Sequence, residues 1–379
     1  MKRIITKALV LSALCVLLVS GTAVAKTLKI GTLSPITGPY AADGNDIMNG
    51  AVIAAEVFQK KGLLKGFDKI EVVSEDSACD PRQAVAAANK LLSQGVAFVD
   101  GAYCSGATIP ASEVLNEGPI PMITPASTNP NVTLRGLKYM WRMCGIDAHQ
   151  SKAGVDFMAK VLKAKTVFIL DDKTTYSQHL AEYVAEAAKA AGIQVLAHDH
   201  VNEGDMDYSA VLTKIKAANP DVFYMSLQNS AAGIPFIKQL RQAGVKAQIL
   251  SQDAVYHPQF IEKAQDAAQG VYFTFGFIDD TTEMYKDFLK AYTDKVGGKP
   301  GGYAFYSFDA TWTMLTAISK AGSTDPEKIR AEMMKMDMAG VTKRIKFDAN
   351  GDSGSNYIIQ VVKGDKFVNY YDPSTGKFF

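Results

Sequence analysis

From Lys26 onward, short β-branched runs alternate with Ala-rich amphipathic stretches, and few folds tolerate that rhythm. The runs are LKIGTL, KIEVVSED, VAFVDG, PMITP, TVFILDD, IQVLAHDHV, DVFYMS and AQILS. Between them lie GNDIMNGAVIAAEVFQKK, PRQAVAAANKLLSQG, QHLAEYVAEAAKAAG and YSAVLTKIKAANP. Apolar strands of this length separated by helices predict an α/β protein whose parallel sheet is covered on both faces. The alternation restarts after GIDAHQ (Gly145–Gln150), which predicts two similar doubly wound lobes rather than one continuous sheet. The last third changes character. QGVYFTFGF reads as a strand, two long helical stretches follow, and RIKFDANGDSGSNYIIQVVKGDKFVNYY reads as β structure with turns at Asn350-Gly351 and Gly364-Asp365. If both lobes share this ending, the chain crosses between them more than once and makes a hinge with a cleft. The expected division is 26–146 plus 277–353 for lobe one and 147–276 plus 354–379 for lobe two.

The N-terminus carries an address. Lys2, Arg3 and Lys7 precede the apolar run Ala8–Val19, and Ala23-Val24-Ala25 offers a small-x-small cleavage site. Residues 1–25 are therefore expected to be a signal peptide cleaved near Ala25, with the mature chain in the periplasm. A lipid anchor on Cys15 is disfavoured because Leu14 stands where a small residue is needed. Cleavage removes three positive charges, taking 40 basic residues to 37 against 39 acidic, or about −2. That charge offers no basic field for nucleic acid. Three cysteines remain. Cys79 and Cys104 each fall just past one of two successive β runs, at the same edge of a parallel sheet, and are expected to pair in an oxidising compartment. Cys144, in the apolar stretch YMWRMCGI, is expected to be a buried free thiol.

Four motifs point to chemistry and fail on context. GDSGS (Gly351–Ser355) resembles the nucleophile segment of chymotrypsin-like proteases, but that fold is all β, and DANGD reads as a hairpin turn. The same segment half-matches a calcium loop through Asp348, Asn350 and Asp352. It has Ser353 where Gly is needed and Ile359 where the bidentate Glu is needed. His198 and His200 share a strand face with metal-like spacing, but no third ligand stands near them in sequence, so solvent-facing polar residues are expected. The Gly-rich turns SPITGPYAADG and GAYCSGA are not GxGxxG, and no Walker lysine follows. The chain is expected to be no enzyme and to need neither metal nor cofactor.

GAYCSGATIPASEVLNEGPIPMITPAST (Gly101–Thr128) is more informative. Ser105 sits at a strand-to-helix junction, where hydroxyl, free amides and the positive helix end can face an anion; the competing role is a plain helix N-cap. Thr124-Pro125-Ala126-Ser127-Thr128 follows the next strand, on the same sheet edge. Two adjacent strand ends bearing hydroxyls and open amides can hold a carboxylate with neutral donors alone.

The segments TLKIGTLSPITGPYAADGNDIMNGAVIA, DSACDPRQAVAAANKL and CSGATIPASEVLNEGPIPMITPAST resemble the leucine/isoleucine/valine-binding proteins of ABC importers, which are type I periplasmic solute-binding proteins. The likeness continues through DDKTTYSQHLAE and FDANGD, so it covers essentially the whole mature chain. It implies a disulfide between Cys79 and Cys104, in agreement with the pairing above. It implies a ligand α-carboxylate held by Ser105, the Ala126 backbone and Thr128, and an ammonium held by Tyr176 and Asp253, the latter one methylene shorter than the family's Glu. Tyr303 aligns with an aromatic wall. Two aromatic positions around the ligand side chain become Asp43 and Gln228, and these polar groups count against a purely aliphatic ligand. The implied role is an amino-acid-binding subunit, monomeric, that delivers its ligand to the membrane permease subunits. The alternatives are an aromatic acid or amide as ligand, or service as a sensor for a membrane receptor.

Overall fold

The computed structural model describes residues 26–379; the expected signal peptide lies outside the described residues. The first sheet is built from β1 (Thr27–Ser34), β2 (Lys69–Asp76), β3 (Val99–Gly101), β4 (Met122–Thr124) and β5 (Met140–Arg142). Its order is β2-β1-β3-β4-β5, and every pairing is parallel. The crossovers include α1 (Ala41–Lys60), α2 (Pro81–Ser93) and α3 (Ser105–Glu117). Helix α2 shows how local sequence sets an element. Asp80 caps it by accepting from the Gln83 amide at 2.8 Å, Pro81 fits the first position, and Ala84, Ala87, Ala88 and Leu91 form the buried stripe.

The second lobe repeats the plan with α4 (Asp147–Lys160), β6 (Thr166–Asp171), α5 (Thr175–Ala190), β7 (Gln194–His200), α6 (Ser209–Ala218), β8 (Val222–Met225), α7 (Ser230–Gln242), β9 (Gln248–Ser251), α8 (Pro258–Ala264) and β10 (Tyr272–Gly276). The chain then returns to the first lobe through α9 (Glu283–Val296), α10 (Gly302–Ala321) and α11 (Pro326–Met333). Helix α10 is buried along most of its length and lies against α1. A Cβ at Gly50 would come within 2.4 Å of the Ala304 carbonyl, so only glycine permits this approach. Ser307 Oγ donates to Asp100 at 2.7 Å and ties the helix to β3. A short ribbon, β11 (Met338–Ala339) with β12 (Arg344–Ile345), follows.

The last crossing carries β13 (Tyr357–Lys363), β14 (Lys366–Asp372) and β15 (Lys377–Phe378) onto the second sheet, whose order is β15-β14-β13-β10-β9-β8-β6-β7. The β7 to β10 portion is parallel, and the three C-terminal strands add antiparallel. Gly364-Asp365 makes the expected two-residue turn of the β13–β14 hairpin. DANGD departs from expectation. The turn forms, with Asp348 N–H donating to the Asp352 carbonyl at 3.0 Å, but the flanking residues do not pair as a hairpin. Asp352 instead bridges to Arg142 of β5, because that buried guanidinium needs an anion more than the loop needs a second strand. Three crossings thus join two α/β lobes. No helix among the described residues is long and apolar enough to cross a membrane.

Candidate functional site

Both anion-site segments leave the first sheet at its carboxyl edge. Thr124, the last residue of β4, donates its hydroxyl to the Ala102 carbonyl at 2.8 Å and accepts from the Ser127 amide at 3.0 Å and the Ala126 amide at 3.3 Å. Ser127 Oγ donates to the Tyr103 carbonyl at 2.9 Å and lies 2.5 Å from Thr108 Oγ1. These hydroxyls are the internal scaffold that folds the turn. Ser105 and Thr128 are different: both are fully buried, and neither hydroxyl has a hydrogen-bond partner among the described residues. Nor is Ser105 the helix cap. Cys104 occupies that position, and it caps with no side-chain bond. Cys104 is disulfide-bonded to Cys79, so the residue preceding Ser105 is tied covalently to the loop after β2. The leading amides of α3 have no intrahelical acceptor and add donors beside the Ser105 hydroxyl.

Sequence reasoning missed the residue beneath this turn. Arg142, from β5, is wholly buried and donates to the carbonyls of Ser127 at 3.2 Å and Asn129 at 2.8 Å, either side of Thr128. Its Nε meets Asp352 Oδ1 at 2.6 Å, and Asp352 also accepts from Thr133. One guanidinium therefore fixes the Thr128 turn and the last interlobe crossing together. Asp348 accepts from the amides of Asn350 and Asp352, both at 2.9 Å, so these carboxylates already serve the loop in which a calcium site was weighed. Ser353 donates to the Met143 carbonyl at 2.8 Å, a structural role for the protease-like serine.

On the second lobe, Tyr176 in the first turn of α5 places its hydroxyl 2.5 Å from Asp253 Oδ1 and 2.8 Å from Gln252 Oε1. Gln252 fixes this loop, donating to the Leu227 carbonyl and accepting from the Ala254 amide at 2.6 Å. Asp253 is buried, and burial pushes its carboxyl up to about 6 despite hydroxyl and amide donors from Tyr176, Gln150 and Tyr303; Asp147 pushes the same way as burial. No lysine, arginine or histidine pairs with it among the described residues. A buried carboxylate in that state is set to receive a cation. Gln150 and Asp147, neither singled out in the sequence, approach from α4. Gln150 Nε2 is held by Thr274 Oγ1 at 2.9 Å, and Gln150 Oε1 and Asp147 Oδ1 are buried without partners among the described residues.

The two sets face each other. Tyr103, two residues before Ser105, sends its hydroxyl across the cleft to the carbonyls of Gln228 at 3.2 Å and Ala254 at 3.4 Å. A Cβ at Gly106 would stand 3.0 Å from Thr175 Oγ1, so the first turns of α3 and α5 nearly touch. The lobes are closed on one another. Tyr303 packs edge-on against Tyr103 at 5.5 Å and Phe275 at 5.8 Å, making an aromatic cluster. Asp43, in the first turn of α1, is buried, and burial raises its carboxyl to about 7 while His257 and the Tyr103 hydroxyl pull it down. Gln228 is buried too, its backbone N–H donating to Asp172 Oδ2 at 2.6 Å.

A sequence profile described as periplasmic binding protein matches residues 27–366. The chain belongs to the periplasmic binding protein family. An amino acid binding protein of Pseudomonas aeruginosa is 37% identical over 339 residues, spanning 87% of this chain and 88% of that protein. A leucine-, isoleucine-, valine-, threonine-, and alanine-binding protein of the same organism is 33% identical over 328 residues, spanning 86% and 87%. The crystal structure of a leucine binding protein from Thermotoga maritima superposes with a TM-score of 0.85 at 29% identity, covering 92% of this chain and 99% of that one. This periplasmic binding protein therefore has the type I fold, two doubly wound lobes about a multi-crossing hinge. Its family is one of solute-binding proteins, which are not enzymes.

Proposed function

We propose that this chain is the periplasmic substrate-binding subunit of an ABC importer for amino acids, with lobe one at 26–146 plus 277–353 and lobe two at 147–276 plus 354–379. The observation that carries the reading is the pairing of unsatisfied groups across the closed cleft. Two buried hydroxyls without acceptors, Ser105 and Thr128, stand on one lobe, and a buried carboxylate without a cation, Asp253, stands on the other. An α-amino acid supplies both missing charges in one small molecule. Its carboxylate would accept from Ser105, Thr128 and amides including that of Ala126, and its ammonium would donate to Asp253 beside Tyr176. The amino-acid ligands in the names of the two P. aeruginosa relatives support the same class.

Docking would begin on lobe one, where the neutral donors are prearranged, and contacts with lobe two would supply the free energy that favours the closed form recognised by the permease. Tyr303 would flank the ligand side chain. The ligand would be a branched-chain or related neutral or polar amino acid, and Asp43 and Gln228 near Tyr103 favour the polar end of that range. The test is thermal unfolding of ligand-stripped protein against aliphatic, polar and aromatic amino acids with their deaminated acids and amides. A ligand at 100 times its Kd stabilises by about 2.7 kcal/mol. Midpoint shifts confined to compounds with both α-carboxylate and α-ammonium are expected. Shifts produced by deaminated acids or amides, with amino acids silent, would overturn the substrate class.

A further inference from the structure

We propose a surface metal site on the edge of the second sheet, formed by Asp171, His198 and His200 and selective for an imidazole-preferring divalent ion such as Zn2+. The sequence supplied only two histidines at alternate positions of β7. The third group comes from the neighbouring strand. In the parallel β6–β7 register His200 lies opposite Asp171 and His198 opposite Ile169, so all three side chains share one face. His198 Nε2 stands 2.6 Å and His200 Nδ1 2.8 Å from the same atom, Asp171 Oδ2. The three ligand atoms all lie within 4.8 Å of one another, and the rings are 4.9 Å apart.

The layout differs from ordinary polar surface in three ways. The Asp171 carboxylate is fully buried, and its other oxygen is oriented by the Lys173 amide at 2.8 Å. The two imidazoles that cover Oδ2 remain 21% and 38% exposed, leaving room to turn and a face open to water. Asp199, between the histidines, points to the other face and pairs with Lys214 at 2.7 Å, so it stands apart from the cluster. Two nitrogens and one carboxylate oxygen, with a fourth position left to solvent, match the ligand set of borderline cations and not the oxygen cages of Ca2+ or Mg2+. Tetrahedral bonds of ~2.0–2.1 Å need ligand atoms roughly 3.3 Å apart, so small rotations of the exposed rings suffice. Asp171 also begins the loop 172–174 that leads into α5 and Tyr176, so the ion would brace one wall of the ligand cleft.

The test is calorimetric titration of tag-free protein with Zn2+ at about pH 7.5, with Mg2+ as control. One ion per chain is expected, with at least 10-fold weaker binding in His198→Ala and in His200→Gln. Each histidine also bonds the buried Asp171 carboxylate, so some loss of stability is expected in metal-free buffer; an unfolding midpoint that stays above the titration temperature separates a lost ligand from a lost fold. Absence of Zn2+ binding by the wild type, or unchanged binding in both variants, would overturn the site. Neither result touches the amino-acid reading, since the three residues lie outside the Ser105–Asp253 pair.

Discussion

At the level of single residues, the site is defined by what each side chain is not already doing. Thr124, Ser127 and Thr108 are small hydroxyls like Ser105 and Thr128, yet of these five only the last two are left without a partner among the described residues. Asp253 is the counterpart on the other lobe. Replacing it with Asn keeps the shape and removes the charge, and should cost ligand affinity about 2–5 kcal/mol, or roughly 30-fold or more, by calorimetry. Unchanged affinity would remove Asp253 from the ammonium role. Arg142→Ala should instead destabilise the fold by about 3–5 kcal/mol, because Asp352 and the carbonyls of Ser127 and Asn129 lose their donor together; denaturant unfolding reads it directly. The hydroxyl-bearing segment that holds Ser105 and Thr128 stood out in the sequence, but which of its hydroxyls would be consumed by the turn itself did not. Arg142 did not stand out. It lies in MWR, a strand too short to show a period, and its partners are 9 residues away at Thr133 and 210 away at Asp352. The same holds for Gln252 and Gln150, ordinary glutamines until the loop and helix that carry them meet around Asp253.

Elements explain why those residues are held so firmly. Helix α3 begins at Ser105 because Cys104 stays extended, and the disulfide anchors that cysteine to the loop after β2. The bridge spans a sequence separation of 25, for which loop closure contributes about 3 kcal/mol. Changing both cysteines to Ala should lower stability by about that amount, measured by denaturant unfolding without reductant. Affinity should fall as well, because the first turn of α3 loses its tether. If stability falls and affinity is unchanged, the disulfide serves the fold alone. The alternating strands and helices were readable from hydrophobic pattern, and so was the β13–β14 hairpin from Gly364-Asp365. The Asp348–Asp352 turn was read as a hairpin because local sequence specifies the turn, not what the strands on either side will pair with. Helix α11 was not among the expected elements, although Asp325-Pro326 is a capping signature, with Asp325 accepting from the Lys328 amide at 3.0 Å.

For the molecule as a whole, the question is what holds two lobes shut, and one contact makes the answer depend on pH. His257, at the N-cap of α8 on lobe two, reaches across to Asp46 of α1 with Nε2 3.2 Å from Oδ2, both side chains buried. Asp46 also accepts from the Gly301 amide at 2.7 Å and from the Tyr292 hydroxyl, so it is fixed before His257 arrives. Burial lowers the His257 pKa, but the Asp46 bond and the charges of Asp43, Asp46 and Glu262 outweigh it, and the net shift is upward. A histidine whose pKa is raised in the closed form stabilises that form fully below its ordinary value near 6.5 and loses the contribution as pH rises through the raised value. Asp253 acts on the other limb. Its carboxyl sits at about 6, and an ammonium requires it ionised, so affinity is lost as pH falls below that value. Ligand affinity should therefore peak between these two limits when titrated from about pH 5 to about pH 9. In His257→Gln the alkaline fall should flatten while the acid limb stays, and an alkaline limb unchanged in that variant would show that closure does not depend on the His257–Asp46 contact.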